Sequence, residues 1–381
     1  MPRDDHLPFV KEIMQRFAVE TGLRGGGQPR RYLWTDAFAV CNYLELKRLT
    51  GEDQYTELAL GLVDQVHRVL GRHRDDDSRT GWLSGLDEGE GGAHPTRGGL
   101  RIGKPLRERQ PGEPNDNRLE WERDGQYFHY LTKWIHALHR VSAATGKGIY
   151  NGWARELAAA AHRAFSYQPP EGGPQRIYWK MSIDLSRPLV PAMGRHDPLD
   201  GYLAYLEVQE GDPAVLAAEI DEIRRLCRGR DWFTDDPLGL GSLLCDALQA
   251  VQLIIQGNHT LAGLPDDLLD AARHGLKEYT ARQPLEGPAE SRLAFRELGL
   301  ATGLQGLDRI GRLIPAQPAL SGETDSLVNY LDQLGRYREL AGKINHFWLA
   351  GQNQEAASWT EHHDINAVML ATSLAPDGFF G

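Results

Sequence analysis

Carboxylates stand next to aromatic side chains at six places along this chain of 381 residues. The segments are LWTDAF, EWERDGQYFHY, GRHDPLDGY, FTDDPLG, AESRLAF and WTEHHDIN. A sugar site needs both kinds of residue, because flat rings lie against a pyranose while carboxylates accept hydrogen bonds from its hydroxyl groups. Hydrolysis of a glycosidic bond, in addition, requires one protonated and one ionised carboxyl group. The pattern therefore predicts a sugar site with acid/base chemistry.

The candidate residues fall into two groups. Those predicted to be catalytic are Asp36, Asp124, Asp197, Asp200 and His363. Those predicted to contact the substrate are Trp34, Glu122, Gln126, Tyr127, Trp179, His196, Asp236, Arg292, Trp359, His362 and Asp364. Asp36 beside Trp34 and Asp124 near Tyr127 are suited to the unequal roles of acid and base, because neighbouring rings and hydrogen bonds shift carboxyl pKa values in opposite directions. The spacing does not rank the four aspartates, and each of them is also a candidate helix cap.

The adjacent histidines His362 and His363 allow a second kind of chemistry. Imidazole titrates near neutral pH, so either ring is a candidate acid/base group for proton transfer. Hydrogen bonding to the substrate or to Asp364 is the alternative role. Neighbouring side chains on a helix project about 100 degrees apart, which disfavours joint ligation of one ion, and we predict neither a metal nor a cofactor.

Paired helices are the elements that must position these residues. An apolar helix at 34–49 stops at Thr50-Gly51, and Tyr55, Leu58 and Leu62 begin an amphipathic partner. A helix from about Asp124 to Thr145-Gly146 repeats the arrangement. Three later helices, following Pro198, Pro237 and about Ser291, are paired with 213–229, 264–282 and 325–343, and a last helix, INAVMLATSL, is paired with segment 5–21.

Six such hairpins predict an all-α fold, the (α/α)6 barrel, with residues 1–381 in a single domain. The first helix of each pair is apolar on nearly every face, which predicts an inner ring whose N-termini meet at one rim. An open α-solenoid is the alternative architecture, since helical repeats usually stack without closing. The predicted strands are few, with RIYW at 176–179 as the example.

Residues 71–123 are predicted to form a loop-rich insertion, because the connection is far longer than ordinary links between helices. We interpret it as a lid over the site. Its tract RGGLRIGKPLRER concentrates five cations: Arg97, Arg101, Lys104, Arg107 and Arg109. The tract is either a clamp for a carboxylate, sulfate or phosphate on the substrate, or an exposed stretch paired with nearby acids.

Composition excludes several classes of function. The chain is 41% hydrophobic and 25% charged with a formal net charge of -11, as expected for a globular protein, and the acidic balance argues against nucleic acid as a partner. We find no signal-peptide pattern and no stretch close to the roughly 18 apolar residues of a membrane span. These features predict a cytoplasmic protein with no membrane partner. The three cysteines have no disulfide or metal spacing.

WTDAF with the following TGxxxY hairpin, DGQYFHYLTKWIHAL, HDPLDGY and the closing WTEHHDINAVMLATSLAP together resemble the six-hairpin glycosidase superfamily of (α/α)6 toroids. Its members include glycoside hydrolases, unsaturated glucuronyl hydrolases and sugar 2-epimerases of the N-acylglucosamine 2-epimerase kind. The resemblance implies catalytic aspartates at the starts of inner helices, where Asp36, Asp124, Asp197 and Asp200 match best. Epimerases of the superfamily use two histidines on separate inner helices. His362 and His363 are adjacent instead, which leaves His129 or His196 as the second partner.

Three functions follow from these observations. The first is a carbohydrate-active enzyme, a glycoside hydrolase that uses a carboxylate pair on a small carbohydrate substrate. The second is a sugar epimerase or isomerase that uses His362 or His363 as acid/base. The third is a non-catalytic toroid that binds glycans or a partner protein.

Overall fold

The structure is a computed structural model that describes residues 6–314 and 324–381. Helices dominate it, and the few strands are two or three residues long. The chain divides into two compact units, one of residues 18–229 and one of residues 1–17 with 230–381. We call them the 18–229 unit and the 230–381 unit. The first helix, α1, covers Leu7–Glu20.

The 18–229 unit contains eight helices and five short strands within its bounds. The helices are α2 (Leu33–Thr50), α3 (Gln54–Leu70), α4 (Glu88–Ala93), α5 (Asn117–Glu122), α6 (Phe128–Thr145), α7 (Ile149–Phe165), α8 (Asp197–Gln209) and α9 (Ala217–Cys227). The strands are β1 (Gln126–Tyr127), β2 (Ser166–Tyr167), β3 (Arg176–Ile177), β4 (Lys180–Met181) and β5 (Pro188–Val190).

Three hairpins in this unit confirm the predicted pairing of helices. α2 packs on α3, α6 on α7 and α8 on α9, while α2, α6 and α8 also pack side by side. Every residue of α2 from Leu33 to Leu46 is buried, which explains why this helix is apolar on all faces. Gly51 ends α2 in the left-handed conformation at φ 74°, and its N–H donates to the carbonyl of Lys47, as the sequence predicts.

The start of α6 differs from the sequence prediction. The helix begins at Phe128 and not near Asp124, because β1 pairs with β4 in a three-stranded sheet of order β1-β4-β5. Gly125, at φ 154°, lies so close to β4 that a Cβ there would be 2.7 Å from the carbonyl oxygen of Met181. The predicted strand at 176–179 is correct only for Arg176–Ile177, which pairs with β2.

The insertion at 71–123 contains only the short helices α4 and α5. Leu100 and Ile102 in its centre are fully buried. The N–H of Leu33 donates to the Ile102 carbonyl at 3.0 Å, and the N–H of Ile102 donates to the Gly125 carbonyl at 2.8 Å. This part of the insertion is therefore tied to the starts of α2 and β1.

The 230–381 unit contains nine described α-helices besides the part of α1 that it includes. They are α10 (Pro237–Ile255), α11 (Leu264–Ala281), α12 (Ala294–Leu313), α13 (Thr324–Gly335), α14 (Glu339–Leu349), α15 (Gly351–Gln354), α16 (Ala357–Thr360), α17 (His363–Leu374) and α18 (Asp377–Phe380). Short 3-10 helices cover His259–Leu261, Pro284–Glu286 and Ala289–Ser291.

Close packing of α10 on α12 is the central contact of this unit. A Cβ at Gly241 would overlap the backbone of Gly299, and a Cβ at Gly303 would lie 2.7 Å from the Gly241 Cα. By length and composition α10 passes the test for a membrane span, so the expectation that no stretch approaches that length is wrong for this helix. Of its apolar stretch, 61% is buried, as in a core helix.

The predicted helix at 325–343 is two helices, α13 and α14, separated by a turn at 336–338. α13 packs on α11, whereas α14 packs on α12 and α17. The different partners explain the break. Elsewhere the predicted helices are confirmed with shifted ends, since α12 begins at Ala294 and α17 at His363.

Candidate functional site

An aromatic cluster gathers at the starts of α2 and α6 in the 18–229 unit. We define it as Tyr32, Trp34, Trp121, Tyr127, Tyr130 and Trp179. The hydroxyl groups of Tyr32 and Tyr130 are 2.6 Å apart. The Tyr127 ring lies 4.9 Å from that of Trp179, which meets the exposed Trp121 at 4.8 Å, edge to face. The cluster presents flat apolar faces beside phenol groups.

The small sheet explains how Trp179 reaches this cluster. Tyr127 pairs with Lys180 across the β1-β4 ladder, and the carbonyl of Trp179 accepts a hydrogen bond from the Phe128 N–H at 3.4 Å. Trp179 comes from a segment with many prolines and no helical period. Its position is fixed by this pairing and by its N–H, which donates to the Val190 carbonyl at 3.2 Å. The sequence placed Trp179 among the substrate contacts, and the structure brings it against Tyr127.

Ionisable side chains lie next to the cluster on α6 and α8. His129 stacks on Tyr127 with ring centroids 5.6 Å apart. Lys133, one turn further along α6, donates to the Asp200 carboxylate on α8 at 2.9 Å. Burial lowers the pKa of His129 to about 4, while Asp200 acts to raise that pKa and Lys133 to lower it. The His129 ring is therefore neutral at pH 7, and its Nδ1 has no hydrogen-bond partner within the described part of the chain.

The phenol groups of the cluster stay protonated at neutral pH. Burial raises the pKa of Tyr32 to about 12 and raises those of Tyr127 and Tyr130 still further. The hydroxyl of Tyr127 is buried and has no partner among the residues that the structure describes. Neutral phenols donate hydrogen bonds, so the cluster can stabilise an oxygen that gains negative charge.

Asp124 is fully buried and engaged on both oxygens. It accepts hydrogen bonds at 2.6 to 3.3 Å from the side chains of Arg101 and Arg74 and from the backbone N–H groups of Gly103, Lys104 and Gly125. This arrangement holds the insertion against the start of β1. The observed contacts are those of a positioning residue, and the predicted catalytic role of Asp124 stays a prediction.

Asp36 also has structural contacts. It is 1% exposed in the first turn of α2, where its carboxylate accepts from the Tyr32 N–H at 2.9 Å and faces Arg31 at 3.4 Å. A carboxylate that bonds an N–H at the beginning of its own helix acts as a cap. Beside it, the Trp34 ring lies 4.6 Å from that of Phe38 and 6.5 Å from that of Tyr130, and the second contact joins Trp34 to the rest of the cluster.

The other two predicted aspartates lie on α8. Asp197 accepts a hydrogen bond from the Gly194 N–H at 2.9 Å. It shares a helix face with Asp200, because the two stand three positions apart in the sequence. Both are buried. His196, half-buried, precedes α8 and accepts the Asp200 N–H through its carbonyl. The structure thus brings Asp200 together with His129, while the catalytic roles of Asp197 and Asp200 stay predictions.

Two predicted substrate contacts of this unit have different surroundings. Gln126 is fully buried, and its side chain bonds the Leu100 N–H and the carbonyls of Gly98 and Ile183, which links the insertion to the loop after β4. Glu122 is exposed at the end of α5. Its charge acts to raise the pKa of Tyr32, so it lies within electrostatic reach of the cluster.

A second convergence occurs at the starts of α10, α12 and α17 in the 230–381 unit. Asp236 caps α10 by accepting from the Gly239 N–H at 3.0 Å, and it pairs with Arg296 on α12. The Asn366 side chain on α17 accepts the Phe295 N–H at 2.9 Å. The ends of these three helices therefore meet, as predicted for inner helices.

The predicted contacts Arg292 and Trp359 are core residues of this unit. Arg292 pairs with Glu297 at 2.6 Å and lies 3.6 Å from the Phe347 ring centroid, while Trp359, 1% exposed, stacks on Trp348 at 5.6 Å. The indole N–H of Trp348 also donates to Glu297 at 2.8 Å.

The two adjacent histidines lie at the start of α17. His362 is exposed, and its ring lies 5.8 Å from that of Phe295. The Nδ1 of the half-buried His363 is 3.3 Å from the Asp364 carboxylate. Hydrogen bonding between His363 and Asp364 was one of the expected arrangements. The acid/base roles of the two histidines stay predictions.

Comparison with solved structures identifies the architecture. A GH76 α-mannanase from Bacteroides thetaiotaomicron aligns with a TM-score of 0.53 at 9% identity over 97% of this chain and 95% of its own. A polysaccharide lyase gives 0.52 at 11% identity, covering 98% and 97%, and a D-mannose isomerase gives 0.52 at 11%, covering 97% of each chain. The fold that the chain shares with these structures is an (α/α)6 toroid. No family model matches the chain, and no curated protein matches it.

The (α/α)6 fold class is therefore confirmed over nearly the whole chain, and the open-solenoid alternative is wrong. Sequence identities of 9 to 11% with these three structures establish the fold and nothing beyond it. The site must be argued from the chain's own side chains.

Sequence reasoning missed part of the site. Tyr32, Tyr130 and Lys133 were not among the predicted contacts, and His129 entered only as a second histidine through the resemblance. The signal was present in FHYLTK, because His129 and Lys133 stand four residues apart and must share a face of α6. Their partner Asp200 comes from α8, which the local sequence does not indicate.

Proposed function

We propose that this chain is a carbohydrate-active enzyme. The observation that carries the proposal is the aromatic cluster with His129, Lys133 and Asp200 beside it. Rings such as Tyr127 and Trp179 offer the apolar surface that a pyranose packs against, and the ionisable groups offer proton transfer next to it. The three (α/α)6 structures of the comparison are an α-mannanase, a polysaccharide lyase and a D-mannose isomerase, each of which acts on carbohydrates.

Proton transfer within a sugar is the reaction that this geometry supports best. A neutral imidazole with an unpartnered nitrogen suits a general base, and His129 has both properties. His129 would take a proton from the carbon next to a sugar carbonyl. It would return the proton either to the former carbonyl carbon, with the hydroxyl proton moving to the former carbonyl oxygen, or to the same carbon after the bound intermediate has turned its other face to the ring. The Tyr127 hydroxyl would donate to the oxygen that becomes negative in between. The outcome is isomerisation or epimerisation, without loss or gain of atoms.

Hydrolysis is the second candidate, and the placement of Asp197 and Asp200 favours it. Side chains three apart on a helix have Cβ atoms about 5–6 Å from each other, which is compatible with the roughly 5–5.5 Å separation of carboxyl groups in retaining glycosidases. Asp36 and Asp124, the pair first predicted for this reaction, are less suited because both carboxylates bond the backbone and arginine side chains.

A panel of free sugars and oligosaccharides in deuterated water separates these functions. Deuterium at a sugar carbon indicates proton transfer, whereas a new reducing end indicates hydrolysis. His129→Asn should lower turnover by about a hundredfold or more if His129 is the base. His346→Asn, which changes an exposed histidine of α14, is the matched control and should retain full activity.

Two results would contradict the proposal in different ways. Full deuterium exchange in His129→Asn would exclude His129 as the base while leaving a carbohydrate enzyme. Binding of sugars without turnover of any of them would favour the non-catalytic alternative.

A further inference from the structure

Three lysines border the aromatic cluster, and they differ in their partners. Lys180 is fully buried, and its ammonium donates to the Glu120 carbonyl at 2.7 Å, to the Glu120 carboxylate at 3.0 Å and to the Arg123 carbonyl at 2.8 Å. Lys133 pairs with Asp200. The ammonium groups of both lysines are therefore paired with oxygen atoms of the protein itself.

Lys104 is the exception among the three. Its ammonium lies 5.5 Å from the centroid of the Tyr32 ring, and within the described residues no carboxylate comes within 4.0 Å of it. Lys104 is only half-buried. Burial lowers the pKa of Lys104, and the charges of Glu122 and Asp124 act to raise it.

The backbone around Lys104 is fixed. Its N–H donates to the Asp124 carboxylate at 3.3 Å, and its carbonyl accepts from Arg74 at 2.7 Å. Two residues earlier, Ile102 is bonded between Leu33 and Gly125. The ammonium is thus presented beside Tyr32 by a chain segment with little freedom to move away.

Other cations of the same basic tract are already neutralised. Arg101 pairs with Asp124 at 2.6 Å, Arg109 with Glu120 at 3.0 Å and Arg97 with Glu156 at 3.0 Å. Of the two roles expected for the basic tract, a clamp for a substrate anion or pairing with nearby acids, these three arginines show the second. Arg107 is exposed, and within the described residues no hydrogen bond or ion pair joins it to the aromatic cluster.

We propose that Lys104 selects a sugar bearing an anionic group, a carboxylate or a phosphate. The inference rests on the proposed function, since it assigns the substrate class of the same site. A partly desolvated ammonium with no carboxylate in direct contact gains a charge-assisted hydrogen bond when an anion arrives, whereas a neutral sugar leaves it without an ion pair. The ring of Tyr32 contacts the same ammonium through a cation–π interaction.

Binding of matched sugars by calorimetry tests this inference. The probes are D-glucuronate with D-glucose, D-galacturonate with D-galactose, and glucose 6-phosphate. We expect wild-type protein to bind one of the acidic sugars at least roughly tenfold more tightly than its neutral partner. Lys104→Met should remove that preference without weakening the neutral sugar, and Lys104→Arg should retain it.

Arg107→Met is the matched control, because it removes the same charge from an exposed position three residues away. It should retain the acidic preference. Preference for glucose 6-phosphate alone would identify the anion as phosphate. Equal wild-type affinity for acidic and neutral sugars, or equal losses in Lys104→Met and Arg107→Met, would overturn the inference and leave the proposed function intact. No binding of any sugar would overturn the proposed function as well.

Discussion

At the scale of single residues, the surroundings of His129 determine what it can do. Burial keeps the ring neutral, and the two charges nearest to it act in opposite directions on its pKa. Lys133 and Asp200 are bonded to each other, so a change in either one alters the field at the imidazole. The pKa of His129 is therefore a measurable consequence of this arrangement.

We expect Lys133→Met to raise the pKa of His129 and Asp200→Asn to lower it further. In the proposed reaction the neutral ring is the base, so activity is expected to be lost as pH falls through the pKa of His129, which is about 4 in the wild type. The acidic limb of kcat/KM should move to higher pH in Lys133→Met and to lower pH in Asp200→Asn. NMR titration of the His129 ring protons measures the same pKa directly.

If the acidic limb shifted in the same direction in Lys133→Met and in Asp200→Asn, this account would be contradicted. A general loss of structure would affect both variants alike and would not give opposite shifts. Arg163→Met on the neighbouring α7 is the control for charge removal. It should leave the acidic limb unchanged.

At the scale of elements, close approach of helices without intervening side chains holds the 230–381 unit together. Gly241 on α10 faces Gly299 and Gly303 on α12, and the backbones meet directly. Small residues at such a crossing permit many van der Waals contacts between the helices, and added atoms have no space to enter. The price of glycine in a helix, about 1 kcal/mol relative to alanine, is offset here by packing.

Alanine at this crossing should destabilise the protein. Gly303→Ala would force α10 and α12 apart, and we expect it to lower the free energy of unfolding by about 1–3 kcal/mol. Gly311→Ala lies in the same helix, where the nearest atom to a new Cβ is the Leu331 side chain at 3.8 Å. This control should be neutral or more stable by about 0.5–1 kcal/mol. Urea unfolding measures the free energy of unfolding of both variants. An equal change in the two would refute a packing role for the crossing.

At the scale of the whole molecule, buried neutral histidines link stability to pH. His67 accepts a hydrogen bond from the Trp134 indole at 3.1 Å, and burial lowers its pKa to about 3. The unfolded ring takes up a proton below its ordinary pKa of 6.5, whereas the folded ring does not. The stability contributed by a neutral His67 is thus fully present above pH 6.5 and is lost as pH falls toward 3. His129 contributes in the same direction.

We expect the melting temperature to fall as pH decreases from 6.5 to about 4, with a shallower slope in His67→Gln. Glutamine can still accept from Trp134 but does not titrate. Loss of one linked proton reduces the slope of the unfolding free energy by up to about 1.4 kcal/mol per pH unit. His259→Gln, at an exposed position, should keep the wild-type slope. Calorimetry across this range provides the measurement, and identical slopes in all three proteins would rule out His67 as a source.

Helix positions and pairing were determined largely by the sequence itself. Apolar spacing identified the inner helices α2, α8 and α10, and Gly51 marked the end of α2, because these signals act within one or two turns of chain. The start of α6 was misplaced by four residues, since pairing of β1 with β4 depends on residues more than 50 positions apart. The split of α13 from α14 likewise follows from their different packing partners.

The residue types of the candidate site were visible in the sequence, but tertiary structure decided which partner each side chain has. Carboxylates beside aromatic rings predicted a sugar site, and Tyr127 and Trp179 were named from that pattern. Which acids are engaged elsewhere is not a local property: Asp124 is held by Arg74 and Arg101, while Lys133 reaches Asp200 from another helix. Lys104 is left without a carboxylate in direct contact for the same reason. The sequence states the type of each residue, but the partners that set its charge and orientation come from distant segments and are present only in the folded chain.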